Sequence, residues 1–144
     1  MNKTDIFQLI RTVELFSNEA IIRWNKSFGH SIGISPILVL SELKSKGPQK
    51  QTVLANNLGY TPGAMTNIAN RLIRHGLAER KYNENDRRNV LLEMTEKGCY
   101  LLNEAQQKGH ELRAELFQVL TDEEIEQFLA IQKKLILSLS CDES

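Results

Sequence analysis

The sequence is poor in the residues that staple or interrupt a fold. Its two cysteines, Cys99 and Cys141, lie far apart and form no redox or metal-ligand spacing, so no disulfide framework is expected. Three prolines and eight glycines leave few places where a helix must stop, and no repeat, linker or low-complexity stretch occurs. Charge of one sign is not in excess, since 18 Lys and Arg balance 18 Asp and Glu. No stretch approaches the ~18 uninterrupted apolar residues that cross a bilayer. The opening Met1-Asn2-Lys3-Thr4-Asp5 lacks the apolar core of a secretory signal, which predicts a cytoplasmic protein. There is no phosphate-binding loop, zinc-protease motif or nucleophile elbow, so no catalytic residue is assigned and an enzyme is not expected. His30, His75 and His110 form no i, i+4 pair and do not neighbour a cysteine, so neither a metal nor another cofactor is expected.

What is present describes a globular chain, with 41% hydrophobic and 25% charged residues. Charge is unevenly distributed. Residues 71–88 carry six basic side chains against three acids, whereas residues 103–126 carry two against seven. A basic middle with acidic flanks suits a protein that turns one surface toward phosphates.

Hydrophobic periodicity predicts a long helix over residues 5–28, where Ile6, Leu9, Ile10, Val13, Phe16, Ala20 and Trp24 recur at three- and four-residue steps. Phe7, Leu15, Ile21 and Ile22 widen its apolar face beyond what one neighbour would cover. Ser35-Pro36 signals a second helix start, with serine as cap and proline at the first helical position. Ile37, Leu40 and Leu43 form its buried stripe, and Gly47-Pro48 ends it. A short helix over 50–58 would turn Val53, Leu54 and Leu58 inward, with Gly59 as a left-handed cap. Thr61-Pro62 repeats the start signal for a helix to about residue 75, with Met65, Ile68, Ala69, Leu72 and Ile73 on one face. The period then shortens. Residues 77–82 and 89–94 read as strands around a polar loop at 83–88, a β-hairpin. Thr95 caps a long helix to about 119. Thr121 and Glu124 match a capping box that opens a last helix to about 139. The fold class predicted is mainly α with a small hairpin, organised as one domain over 1–144.

The two short helices joined through Leu58-Gly59-Tyr60-Thr61 read as a helix-turn-helix. In that motif the second helix enters the major groove of duplex DNA with its N-terminal residues at base edges. Its outward face would carry Gly63, Thr66, Asn67, Asn70, Arg71 and Arg74. Asparagine pairs bidentately with adenine, threonine contacts either base type, and arginine meets guanine or phosphate. A solvated helix face would show similar residues, as a solvated charged loop would resemble the hairpin that follows, but the two in sequence are more specific than either alone. The hairpin loop ends in Asp86-Arg87-Arg88. An arginine on a projecting tip enters a narrow minor groove, where the negative potential is enhanced. The aspartate would orient a guanidinium or close the turn.

These stretches resemble the MarR family, the multiple-antibiotic-resistance regulators. The similarity runs through Ile34-Ser35-Pro36 with Val39-Leu40, and through Leu54-Ala55-Asn56-Asn57-Leu58-Gly59. It continues in Asn70-Arg71-Leu72-Ile73-Arg74-His75-Gly76-Leu77-Ala78-Glu79-Arg80 and Asn85-Asp86-Arg87-Arg88-Asn89, then Leu92 and Thr95-Glu96-Lys97-Gly98. The resemblance implies a winged helix-turn-helix transcription regulator, a repressor by expectation, with a DNA-binding lobe near 34–98. It implies a homodimer whose long helices, about 5–28 and 96–140, interleave on a pseudo-palindromic duplex operator. DNA contacts would come from Thr61, Pro62, Gly63, Thr66, Asn67, Asn70, Arg71, Arg74, Asp86, Arg87 and Arg88. It also implies a cleft beside the DNA-binding lobe for a small-molecule effector, anionic or phenolic. Trp24, Phe28 and His30 are the candidate effector residues, with core or dimer packing as the other reading of the two aromatics. The chain departs from the family at Pro62-Gly63-Ala64, where Ser-Lys-Ser-like residues are common, and at Asn67, where arginine is frequent. A thiol- or metal-responsive sensor on the same fold and a helical protein-interaction module are the alternatives. Against the first, no cysteine stands near the start of the first helix. Against the second, an Asp-Arg-Arg loop has no evident use in helix pairing.

Overall fold

A computed structural model of the chain describes residues 3–83 and 85–140. The side chains at 83 and 87, and Cys141, lie outside the described residues. The element order is α1 (Ile6–Ser27), α2 (Ile34–Lys46), α3 (Gln51–Leu58), α4 (Pro62–Arg74), β1 (Ala78–Asn83), β2 (Asp86–Met94), α5 (Glu96–Phe117) and α6 (Asp122–Ser140). The elements predicted from periodicity therefore all form, in order. The chain divides into two compact units, residues 1–109 and 110–144.

In the first unit the core collects side chains that recur at helical spacing. Val39, Leu40 and Leu43 of α2, Leu54 of α3, and Met65, Ala69 and Leu72 of α4 are buried with Leu77 and Leu92 of the hairpin. Each fully buried large side chain contributes about 1.5–3 kcal/mol relative to exposure. Leu101, Leu102 and Ala105 of α5 are buried as well.

Three features differ from expectation. Helix α2 begins at Ile34 with Gly33 as its N-cap rather than Ser35. Pro36 then sits third in the helix, still within the turn whose N–H groups lack intrahelical partners, so the proline removes no hydrogen bond. In α3, Val53 is exposed and Ala55 takes the inward place beside Leu54. The helix ends on Gly59 in the left-handed region (φ 76°), and backbone pairing precedes Gln51. That pairing is an antiparallel bridge, unforeseen in the sequence, in which Gln49 and Leu92 exchange N–H···O bonds of 3.1 and 2.8 Å.

The third difference is the hairpin tip. The strands pair antiparallel with Ala78 opposite Met94, Arg80 opposite Leu92 and Tyr82 opposite Val90. The next pair is Asn83 with Asp86, so residues 87–89 of β2 intervene where β1 has nothing. Asp86, Arg87 and Arg88 therefore belong to a strongly bulged strand rather than to a free loop. The Asp86 carboxylate closes this bulge by accepting the Arg88 backbone N–H at 3.0 Å.

Thr95 ties the hairpin to α5. Its hydroxyl donates to the Gly76 carbonyl (2.7 Å) and accepts the Gly98 N–H (3.1 Å). In the second unit Thr121 and Glu124 form the predicted capping box, with reciprocal bonds of 3.0 and 3.2 Å. The Phe117 and Phe128 rings meet at 6.2 Å.

Gly98 faces the Leu77 carbonyl so closely that an added Cβ would overlap its oxygen and come within 2.9 Å of Met94 Cγ. Gly98→Ala is expected to destabilise the fold by about 1–3 kcal/mol, as overpacking against fixed backbone does. Gly109 has no atom within 4 Å of such a Cβ. Gly109→Ala should instead stabilise by about 0.5–1 kcal/mol, the helix-propensity difference. Urea unfolding of the two variants beside the parent checks both signs.

Candidate nucleic-acid interface

Helix α4 packs on α2, α3 and β1 through its apolar side, which fixes the direction of the opposite side. Thr61, Pro62, Gly63, Thr66, Asn67, Asn70, Arg71 and Arg74 are all exposed. The structure thus brings the helix residues of the sequence reading into one solvent-facing row. Thr61 also starts the helix, since its Oγ1 accepts the Ala64 N–H at 3.1 Å. Pro62 occupies the first helical position, as the sequence predicts.

The members of this row differ in how free they are. Arg71 Nη2 donates to the Ser31 carbonyl at 3.0 Å, which links the recognition helix to the segment between α1 and α2. The Thr66 hydroxyl meets the Pro62 carbonyl at 2.9 Å and Gln51 Nε2 at 3.3 Å. Asn70 Oδ1 accepts from Arg80 Nη2 at 3.0 Å, and the same nitrogen reaches Gln51 Oε1 at 3.3 Å. Asn67 is exposed and takes part in none of these bonds.

Sequence reasoning missed Gln51, Arg80 and Ser31. For Arg80 a signal existed. It alternates with the buried Ala78, so it lies on the inner face of β1, where a cation needs partners. Gln51 and Ser31 gave no signal, because their roles arise from residues 15 and 40 positions away.

On the hairpin, Arg88 is exposed, and Asp86 holds its backbone rather than its guanidinium. Lys81 pairs with Glu93 at 2.9 Å. The hydrogen bond from Glu93 and its negative charge raise the Lys81 ammonium above the usual lysine range, so it remains a cation throughout neutral pH.

A cavity of about 260 Å³ opens elsewhere in the first unit. His30, His75, Lys97, Tyr100 and Glu104 line it with Ile32, Leu77 and Leu101. His30 Nε2 and Glu104 Oε2 lie 2.8 Å apart, and Lys97 Nζ donates to the His75 carbonyl at 3.0 Å. Of the three candidate effector residues only His30 is on this wall. Trp24 and Phe28 are core residues, 3% and 2% exposed, stacked at 4.8 Å, with Phe28 backing the His30 ring at the same distance. Cys99 is a half-buried free thiol. Among the described residues no three His, Cys, Asp or Glu side chains cluster as a metal site would require.

A three-helix core, a helix-turn-helix with a polar outward row, and a two-stranded hairpin beside it define a winged helix-turn-helix protein. Comparison with known proteins narrows the class. Residues 34–90 match the MarR family. The chain is 32% identical over 113 residues to the HTH-type transcriptional repressor MdtR of Bacillus subtilis, spanning 77% of this chain and 73% of that protein. It is 31% identical over 99 residues to the multiple antibiotic resistance protein MarR of Salmonella typhimurium, covering 68% and 69% of the two chains. Among solved structures, it matches a mutant MarR from E. coli complexed with operator DNA, with TM-score 0.80, 26% identity and coverage of 92% and 99%. It also matches the transcriptional regulator BldR from Sulfolobus solfataricus, with TM-score 0.83, 26% identity and coverage of 96% and 99%. The chain belongs to the MarR family.

Because Thr61 caps α4, removing its hydroxyl should be felt as stability before it is felt as binding. Thr61→Ala is expected to lower unfolding free energy by about 1 kcal/mol, and Thr61→Ser to retain it. Thermal unfolding followed by circular dichroism distinguishes the two.

Proposed function

We propose that this chain is a cytoplasmic transcription repressor that binds a specific duplex operator as a homodimer. Helix α4 lies in the major groove, and the hairpin presents Arg88 to the neighbouring minor groove. One observation carries the reading. The outward row of α4 offers uncharged hydrogen-bonding groups first and cations last, and an exposed arginine stands beyond it on a bulged hairpin. The order matches base edges followed by phosphates. The repressor MdtR and the operator-bound MarR among its relatives support the same assignment.

The dimer reading rests on what a single copy leaves uncovered. On α1, Phe7 is 75% exposed, and Ile6, Ile10 and Val13 are open to solvent beside it. On α6, Leu135, Ile136 and Leu139 are likewise exposed. Contiguous apolar faces of this kind mark association surfaces in a water-soluble chain. Among the described residues no helix is long and apolar enough to cross a membrane. A second copy would cover both faces and set two recognition helices about one DNA turn apart. On this reading residues 34–98 form the DNA-binding lobe, and the helices near 5–28 and 96–140 serve dimerisation within one MarR-like domain.

The cavity lined by His30 suits a small anionic or phenolic effector, with the Lys97 ammonium, the Tyr100 hydroxyl and the His30 and His75 rings as polar groups and the Glu104 carboxylate engaged by His30 at 2.8 Å. Ser31 lies on the same wall and holds Arg71 through its carbonyl. A ligand that moves this segment therefore acts on the recognition helix. It alters operator affinity to the extent that it prefers one helix position over the other.

Sequencing of duplexes recovered from a random pool tests the assignment. A pseudo-palindrome with half-sites about ten base pairs apart is expected. Recovery of no preferred sequence by the folded dimer at low salt would overturn it. With that operator in hand, Arg88→Ala should weaken binding and lower the slope of log affinity against log salt by about one. Asn67→Ala should relax preference at one base pair per half-site, by about 1–3 kcal/mol. Binding isotherms over a salt series and a set of single-base operator variants read the two effects separately.

A further inference from the structure

The hydrogen bonds behind α4 determine what its outward face can say to a base. Arginine has five N–H donors and no acceptor. Whatever amide meets Arg80 must therefore turn its carbonyl oxygen toward it. Two do so, Asn70 through Oδ1 at 3.0 Å and Gln51 through Oε1 at 3.3 Å. With its oxygen committed, Gln51 has its Nε2 on the other side, where it reaches Thr66 Oγ1 at 3.3 Å. The Thr66 hydroxyl accepts that bond and directs its one proton to the Pro62 carbonyl at 2.9 Å. The polarity of each group follows from the donor-only guanidinium at the start of the chain of bonds.

We propose that Arg80 and Gln51 are positioning residues that fix the hydrogen-bond polarity of the recognition helix, so that Asn70 presents donors alone and Thr66 presents its methyl group and an acceptor. The proposal rests on the DNA-binding reading above and adds a base preference to it. An unrestrained asparagine reads adenine by donating to N7 and accepting from N6. Asn70 has its accepting half turned to Arg80 and keeps two amide protons. Guanine, with acceptors at both N7 and O6, complements it. Thr66 has no proton to offer a base and suits the methyl group of thymine or the amino group of cytosine. Asn67, one turn earlier and outside these bonds, keeps both halves of its amide. Two asparagines on one helix thus have different reading capacities, and the difference originates in β1 and α3.

The test uses the full-length protein and single-base variants of its selected operator. Asn70→Ala and Asn67→Ala first locate the base pair that each side chain meets. At the Asn70 position the parent is expected to favour guanine over adenine by about tenfold, the scale of one well-made base contact. Arg80→Met, which keeps the apolar stem but removes the donors, frees the Asn70 amide. Its guanine-to-adenine ratio should fall to near unity or invert, while the ratio at the Asn67 position does not move. Arg80→Glu offers acceptors only, so the Asn70 amide must turn its N–H groups inward, and it should act in the same direction if the methionine variant fails to fold. Arg80→Lys is again donor-only and should keep the parental ratio, a rescue that a purely structural role does not predict for a base ratio. A parent that favours adenine at the Asn70 position overturns the inference, as do methionine and glutamate variants with parental ratios. A parent that selects no sequence at all overturns the DNA-binding reading and this inference together. A parent with a clear motif and ratios insensitive to Arg80 overturns the inference alone.

Discussion

A recognition helix has to be held by one side only. In this protein Met65, Ala69 and Leu72 are buried against α2, α3 and β1, and every other feature of the candidate interface depends on that attachment. Burial at a three- and four-residue spacing fixes the rotation of α4 about its axis. Once rotation is fixed, Thr66, Asn67, Asn70 and Arg71 face solvent together. Gly59 in its left-handed conformation and the Thr61 cap set where the helix starts, so the position along its axis is determined as well. The hairpin is joined to the same core through Leu92 and its backbone bridge to Gln49.

Above that apolar attachment lies a polar layer with a different task. Arg80, Gln51, Asn70 and Thr66 form hydrogen bonds that contribute modestly to stability, of order 1 kcal/mol each. Their larger effect is directional. A cation on the inner face of a strand is tolerated only when acceptors surround it. The acceptors here are amides whose other halves lie on or near the outward face of α4. Satisfying a half-buried charge and orienting a recognition side chain are therefore one interaction. Arg71 shows the same economy on the opposite side, where its guanidinium is held by the Ser31 carbonyl at the edge of the cavity.

The apolar residues that do not enter the core carry the remaining information. On α1, Phe7, Ile10 and Val13 are exposed, and on α6, Leu135 and Leu139 are exposed. The apolar positions Pro36, Ile37, Val39, Leu40 and Leu43 of α2 are buried within the unit, whereas in the longer α1 Trp24 is buried and much of the apolar surface is left over. Its excess is read most simply as surface reserved for another copy.

The amino-acid sequence by itself determined the order and type of every element. The reason is that helix periodicity, the Thr61-Pro62 start, the Thr121–Glu124 capping box and the glycine stops are local signals acting over one or two turns. It also determined which residues of α4 face outward, because a helix with one apolar side has only one way to lie on a core. Only the tertiary structure decided that Asp86 to Arg88 belong to a bulged strand, that Trp24 and Phe28 stack in the core while His30 lines the cavity, and that Gln51, Arg80 and Ser31 hold the recognition helix from behind. Each of these depends on groups distant in sequence meeting at hydrogen-bond range or in van der Waals contact. Such meetings leave no period in the chain, and they exist only once the hydrophobic core has brought the elements together.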